Sequence, residues 1–580
     1  MHTYRWELCH VDRPERVAAL QTALNDLPEA LARCLVLRGI DSLEAARRFF
    51  RPALKHLHDP FLMQDMTAAA ERVARAVRRR ERVLVYGDYD VDGTSATALM
   101  TTFLRRQGLD VDYFIPNRFT DGYGLGRAGI DAAAEQGAAL IIALDCGITA
   151  TEEADYARAR GLDLIICDHH TAHDALPRAV AVLDPKRPDC AYPFKELSGC
   201  GVGFKLVQAT LTTLGRDPDE AMDLLDLVAV SIASDIVPVV GENRLLMQEG
   251  LRRLAERPRP GLRALAQQAG LDLAAVSTER IVFGLGPRIN AAGRLGDAAE
   301  AVELLLTDDP ARADELAKKL EAINEQRRRI DLQTRDEAIE QAKRHLSGRM
   351  RHALVLHKAD WHQGVIGIVA SRVLERYHRP TVMLCTVDGA AKGSARSIDG
   401  LNIFEALQSC ADLLTRFGGH AHAAGLTLPV ENISAFRDRL DDVVEAAMTP
   451  DMLIPTKSYD AGLHLADIDG RFWAVLRQFA PHGPGNLTPV FRGTNLQVAG
   501  EPRLVGTDQR HLRFAVRQSS PDGDVCLPVI GFDLHRHLPL LQQSRRQGRP
   551  FEMLFSINEN TWRGRTTLQL QARDLRPADA

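Results

Sequence analysis

Positive charge is not in surplus in this chain: 72 Lys and Arg face 77 Asp and Glu, giving a net charge of −5. The bulk figure therefore does not advertise a polyanion partner, although a local basic groove is compatible with an acidic remainder. The nine cysteines form no CxxC pair and are odd in number, so neither a zinc knuckle nor a disulfide framework is suggested. No uninterrupted apolar run approaches a membrane span, and the opening MHTYRWELCHVDRPERV lacks the apolar core of a signal peptide. A reducing cytoplasm, with no membrane association, is the expected setting. A GxxxxGK phosphate loop, a GxSxG elbow and an HExxH helix are also missing. What remains is ordinary for a globular protein, with 26% charged and 45% hydrophobic residues. A length of 580 residues implies about three or four domains.

The stretch VLVYGDYDVDG sets Asp88, Asp90 and Asp92 at alternate positions before Gly93. That spacing opens an EF-hand loop, but the loop's last position would be Leu99 rather than glutamate, and a strand precedes it instead of a helix. Calcium sensing is excluded on both flanks. The region from about 80 to 240 alternates strand-like and helix-like segments, with apolar strands at 83–86, 111–115, 138–144 and 162–167. This rhythm predicts a parallel sheet covered on both faces. In such sheets the carboxyl ends of the strands share one crevice. The first strand ends in GDYDVDG, another in Asp145-Cys146-Gly147, and a third in Asp168-His169-His170. Asp235, closing the run LLDLVAVSIASD, is a further candidate.

The carboxylates among these side chains, brought together, would repel one another unless protonated or neutralised by cations. Oxygen ligands with one or two imidazoles and no thiolate suit Mg²⁺ or Mn²⁺. Two ions sharing a bridging Asp is the natural arrangement, and it suits phosphoester hydrolysis. A single Asp after a strand is more often a turn or helix cap than a ligand. Three such words at strand ends of one domain carry the inference that one cannot.

The ordered set GDYDVDG, DCG, DHH and SDIVP resembles the DHH phosphoesterases, and within them the RecJ family of single-strand-specific exonucleases. The resemblance continues through Ile115-Pro116-Asn117-Arg118, SGCGVGFK (198–205), GPRINAAGRLGDA (286–298), WHQGVIGIVASR (361–372), GSARS (393–397) and FGGHAHAAGL (417–426). It departs at Cys200, His482 and Leu487, positions expected to affect local packing rather than the metal words. Gly124, Gly126 and Gly129 satisfy GxGxxG, but they lie too far beyond the preceding strand to bind a dinucleotide and are read as a flexible loop.

The resemblance implies an α/β fold: a parallel-sheet DHH domain (71–240), a helical region with a long connecting helix (241–348), a second α/β domain called DHHA1 (349–450) and an all-β OB-like barrel (455–580), after an N-terminal helical or irregular extension (1–70). The sequence agrees with that layout. The long helix, from about 311 to 346, carries an apolar stripe of Leu316, Leu320 and Ile323 against charged faces that include Arg327, Arg328 and Arg329, and it is read as a solvated connector. The barrel is indicated by four short strand-like runs, among them the alternating TTLQLQAR. Its mix of Arg513, Phe514, Trp562, Arg563 and Arg565 is of a type found on single-strand binding surfaces.

As the resemblance implies them, Asp90, Asp92, Asp145, His169 and Asp235 hold two Mn²⁺ or Mg²⁺ ions. Asp88, Asp168 and His170 either join them or orient them. Arg118, Arg288, Asn290, Ser394 and Arg396 grip phosphates, and His170 or His420 faces charge developing on the phosphate. The activity implied is removal of mononucleotides from the 5′ end of single-stranded DNA, in repair and recombination. A monomer working with a helicase and a single-strand-binding protein is expected. A phosphodiesterase for short oligonucleotides or cyclic dinucleotides is the nearest alternative, and a non-catalytic replication scaffold a more distant one.

Overall fold

The computed structural model describes residues 4–122, 124–172, 175–348, 351–562 and 564–578. The chain forms two compact units. The first comprises Met1–Arg5, His58–Val237 and Leu246–Pro455, and the second Trp6–Leu57, Pro238–Leu245 and Thr456–Ala580. Among the described residues no helix is long and apolar enough to cross a membrane.

The first unit opens on a five-stranded sheet. Its strands are β1 (Val83–Gly87), β2 (Val111–Phe114), β3 (Leu140–Leu144), β4 (Asp163–Cys167) and β5 (Ala181–Leu183). All pairings are parallel and the order is β2-β1-β3-β4-β5. β1 and β3 are buried at every position, which is why they are apolar throughout instead of alternating. The order reverses between β1 and β3, and a doubly wound sheet opens its crevice at that reversal. The two strands that carry the first two metal words flank it.

A second sheet in the same unit contains β6 (Leu354–His357), β7 (Thr381–Val387), β8 (Ala390–Arg396), β9 (Arg416–Gly419) and β10 (Ala423–Pro429), in the order β9-β10-β8-β7-β6. Only the β6–β7 pair is parallel. Between the sheets runs a 39-residue helix, Pro310–Gly348, about 58 Å long at the usual rise per residue. It is not solvated all round. Asn324, Asp331 and Thr334 are buried along its middle, and Asp331 pairs with Arg372 of the helix Gln363–Tyr377 at 3.0 Å. Arg327, read from the sequence as part of a solvated face, is largely covered, whereas Arg328 and Arg329 are exposed.

The second unit is built on a closed barrel of β11 (Phe491–Val505), β12 (His511–Ser520), β13 (Gly523–Gly531), β14 (Phe551–Trp562) and β15 (Arg565–Pro577). The order β11-β12-β13-β15-β14 closes through the β11–β14 pair. Residues before 58 complete its core, where Leu20, Leu31 and Leu35 pack in one cluster with Phe472, Phe491, Phe551 and Phe555. Phe514, a candidate for stacking bases, is turned into this core and is only 5% exposed. Arg513 is exposed. Arg563 and the side chains of Trp562 and Arg565 lie outside the described residues.

Candidate metal centre

The carboxylates gather at the carboxyl ends of β1, β3 and β4. After β1 the chain turns through Asp88 and Tyr89 into the helix Val91–Arg106, which Asp90 caps by accepting from the amides of Asp92 (2.9 Å) and Gly93 (3.1 Å). The turn is tight enough to require glycine: a Cβ at Gly93 would lie 2.4 Å from the Asp88 carbonyl oxygen. Asp92, buried on the first turn of that helix, points at a second helix, Gly199–Thr213. It accepts from the amides of Gly199 (2.6 Å) and Cys200 (2.8 Å) and from the Ser231 hydroxyl (2.7 Å). A helix N-terminus with its free amides is a favourable place for a carboxylate. Cys200, expected to bear only on packing, therefore supplies a backbone donor directly to a metal word.

Asp145 follows β3 in the left-handed region, at φ 60°. Gly199 packs so closely on it that an added Cβ would meet the Asp145 Cβ at 2.7 Å. After β4, Asp168 accepts from the amides of Ile148 (2.9 Å), His169 (2.7 Å) and His170 (3.1 Å), and bonds the His170 ring at Nδ1 (2.7 Å). Burial alone would raise its carboxyl, but the His170 ring and these amides outweigh burial and hold it down to about 2. Burial likewise opposes the charged His170 ring, and Asp168 overcomes it to hold that ring up to about 9. Asp235 ends the helix Leu225–Ser234, and the next residue, Ile236, is 65% exposed at φ 61°. A β-branched residue in that region is strained, and such strain collects at functional sites.

His169 stands at the centre. Its Nε2 lies 3.2 Å from Asp145 Oδ1, 3.5 Å from Asp235 Oδ2 and 3.7 Å from Asp92 Oδ2. Three triads have ligand atoms within 4.8 Å of one another: Asp145 with His169 and His170, Asp92 with His169 and Asp235, and Asp88 with Asp90 and Asp145. They overlap at Asp145 and His169. Burial, and after it the charge of neighbouring carboxylates, raises the carboxyls of Asp88, Asp90, Asp145 and Asp235, while burial lowers His169. The cluster resists full ionisation by itself, and a cation relieves it. Asp88 Oδ1, Asp145 Oδ1, Asp235 Oδ2 and both His169 ring nitrogens are buried without a hydrogen-bond partner. Oxygen-rich donors of this kind fit Mg²⁺ or Mn²⁺.

The phosphate candidates divide. Arg118 stacks over the Tyr89 ring at 4.1 Å, and its charge acts on Asp88. Asn290 lines a cavity of about 180 Å³ with Ser234, Arg294, Arg327 and Ile368. Arg288 is turned inward, paired with Glu321 and donating to the Gly284 carbonyl (2.6 Å). Arg396 donates to the Ser394 hydroxyl (2.8 Å) on β8, and the missing side chain of Gly367 leaves room for both. His420 is exposed in the turn between β9 and β10.

Several neighbours of the cluster escape the sequence reading. Asp184, which follows apolar β5 as the others follow their strands, is buried with Oδ2 unpartnered, and burial pushes its carboxyl up to about 7. The strand-end rule that found Asp145 reaches it too. Arg294 lies in GPRINAAGRLGDA, where an arginine by itself carries little signal; burial first, then Arg118 and Arg327, lowers it to about 10. Ser231 carries no signal in an otherwise apolar run.

Comparison with known proteins gives a consistent result. The DHH family N-terminal domain matches residues 82–232, the DHHA1 domain residues 351–446 and the RecJ OB domain residues 459–574. A single-stranded-DNA-specific exonuclease RecJ of Bacillus subtilis (strain 168) is 38% identical over 572 residues, covering 98% of this chain and 70% of that protein. The exonuclease of the same name from Escherichia coli (strain K12) is 35% identical over 564 residues, covering 94% of this chain and 95% of its own. The crystal structure of RecJ in complex with Mn²⁺ from Thermus thermophilus superposes with a TM-score of 0.82 at 30% identity, covering 100% of this chain and 80% of that one.

Proposed function

The chain belongs to the RecJ family of DHH phosphoesterases, and from that premise we propose that it trims single-stranded DNA from the 5′ end to mononucleotides by two-metal hydrolysis. The observation that carries this reading is the pair of ligand triads Asp92–His169–Asp235 and Asp88–Asp90–Asp145, joined where His169 Nε2 lies 3.2 Å from Asp145 Oδ1, with orphaned ligand atoms buried among them.

Asp88, Asp90, Asp92, Asp145, His169 and Asp235 would hold the ions, Mn²⁺ or Mg²⁺, with Asp145 shared. When bound, the ions supply Lewis-acid charge to the phosphodiester oxygens and make water at the site more acidic. The chain's own residues do the rest. The amides of Gly199 and Cys200 and the Ser231 hydroxyl fix Asp92 in one rotamer. Asp168 keeps the His170 ring protonated and oriented toward the cluster, where it offers positive charge to a phosphate. Arg118, Asn290, Ser394 and Arg396, with Arg294 and Arg327, hold the backbone of the strand, since a guanidinium fork matches phosphate geometry. Arg288 supports this surface through Glu321 rather than by direct grip. The barrel favours a polymeric substrate over a dinucleotide.

By the same family reading the protein works in the cytoplasm as a monomer, in repair and recombination, beside a helicase and a single-strand-binding protein. The test is digestion of an oligonucleotide labelled at either end, with Mn²⁺, Mg²⁺ or EDTA, alongside Asp145→Ala and a matched duplex. Immediate release of labelled mononucleotide from the 5′ label alone, lost in EDTA and in the variant, is expected. Strand binding without cleavage in either metal would leave a scaffold, and cleavage of very short fragments alone would leave a small-substrate phosphodiesterase.

A further inference from the structure

We propose that a groove along the N-terminal helices of the second unit docks an acidic peptide segment bearing bulky aliphatic side chains. The groove encloses about 950 Å³, at the upper end of roughly 300–1,000 Å³ typical of small-molecule sites, so it is large enough for a stretch of chain. Its walls are the end of the helix Glu15–Ala23, the helix Leu43–Phe50 with the turn after it, and Val475 with Gln478.

The floor is aliphatic: Leu24, Leu43 and Val475 are partly covered, and Leu27 is buried beneath them. The rim is cationic. Arg47, Arg48, Arg51 and Lys55 are all exposed along it, against a single acid, Glu44. Glu44 is taken by Arg48 at 2.7 Å. Arg47, Arg51 and Lys55 have no carboxylate partner among the described residues. In a chain of net charge −5 this is a local concentration against the average, and it selects an anionic partner.

Two polyanions have that charge, and the floor separates them. Single-stranded nucleic acid is held on aromatic faces over which successive bases stack. The two rings in the lining are engaged elsewhere: Phe50 stands edge-on to Phe49 (5.2 Å) and Phe479 (5.7 Å), and the His56 ring accepts from the Ala53 amide at Nδ1 (3.1 Å). Leucine and valine offer methyl groups, which receive aliphatic anchors as the buried centre of a peptide interface does, while a cationic rim pairs with carboxylates around it.

The probe is a short fluorescein-labelled peptide of alternating Asp, Glu and Leu, titrated into the full chain by anisotropy. Two controls carry Asn and Gln for the acids, or Ser for the leucines. Saturable binding is expected, weakened about tenfold or more by Arg47→Glu with Arg51→Glu, by Leu24→Asp, and by either control. Cleavage of a free oligonucleotide should stay unchanged in these variants, because no groove residue belongs to the carboxylate cluster; failure here leaves the nuclease reading untouched. If the double reversal melts early, Arg47→Gln with Arg51→Gln replaces it and the same readouts decide. Equal binding of the neutral peptide, or of the acidic peptide to the charge variants, overturns the proposal. So does weakened binding of a labelled oligothymidylate by the variants with no peptide bound at all, which would make the groove a strand site.

Discussion

Ser231 shows how a residue with no sequence signal can govern the metal centre. Its hydroxyl is fully buried, bonds Asp92 at 2.7 Å, and is itself bonded to the Ser198 hydroxyl that caps the Gly199 helix. Removing the oxygen leaves one carboxylate oxygen of Asp92 held by the Cys200 amide alone. Supporting partners of metal ligands are typically worth about 10–100-fold in affinity. Ser231→Ala is expected to weaken Mn²⁺ binding by that order in calorimetric titration, with the fold intact by circular dichroism; unchanged affinity would refute the positioning role. The carboxylates themselves were legible because each stands directly after an apolar strand, a pattern contiguous in sequence. Ser231, the Cys200 amide and Arg327 were not, since what they touch is set by helices meeting across the fold. His482, a departure from the family pattern, acts differently. Burial, with Arg38 and Arg244 nearby, lowers its ring to about 4, against an ordinary value of about 6.5. The unfolded chain therefore binds more protons between those values, and folding stability falls as pH drops through that window, by up to about 3 kcal/mol. His482→Gln should flatten the loss, measured as urea midpoints between the two pH values.

At the scale of elements, the close approach of the Gly199 helix to β3 is the constraint that shapes the site. A side chain at Gly199 would meet Asp145 at Cβ and Cα, 2.7 and 2.8 Å away, and neither atom can move without moving the end of β3. Overpacking of this kind typically costs about 1–3 kcal/mol, and here the displacement falls on Asp92 and Asp145 together. Gly199→Ala is expected to lower stability by that amount and to depress nuclease activity more than a hundredfold. A stability loss with normal activity would show that the helix can retreat without disturbing the ligands. The parallel sheet was readable because strands buried on both faces are apolar throughout. The long helix was readable in extent but not in environment. Its charged sequence suggested solvent, whereas the Gln363–Tyr377 helix covers its middle through Asp331 and Arg372. Periodicity reports which residues share a face, not what packs on it. The glycines read as a loose loop are similar: the Tyr86 hydroxyl donates to the Gly124 carbonyl (2.9 Å) and accepts from the Gly126 amide (3.1 Å), which pins the segment.

For the whole molecule, the two units should answer to different conditions. In the first, burial and mutual repulsion raise the carboxyls of Asp88, Asp145 and Asp235 above their ordinary range. Without metal the folded state therefore binds more protons than the unfolded chain once pH exceeds the ordinary carboxylate value, and stability rises as pH falls from neutral. Mn²⁺ or Mg²⁺ replaces those protons. It should stabilise the first unit most at high pH, where repulsion is greatest, and cancel the slope. Asp145→Asn removes one of the repelling charges, so it should stabilise the metal-free protein while abolishing most of the gain on adding Mn²⁺. In the second unit, His482 gives a slope of the opposite sign at acid pH and no response to metal. Hydrogen exchange separates the two, because peptides from 58–237 and from 456–578 can be followed in one sample. Protection gained on Mn²⁺ addition at pH 8 should be confined to the first set, and protection lost between pH 6 and pH 4 should be strongest in the second. A metal response spread equally over the barrel would mean that the carboxylate cluster is not what limits the stability of the first unit.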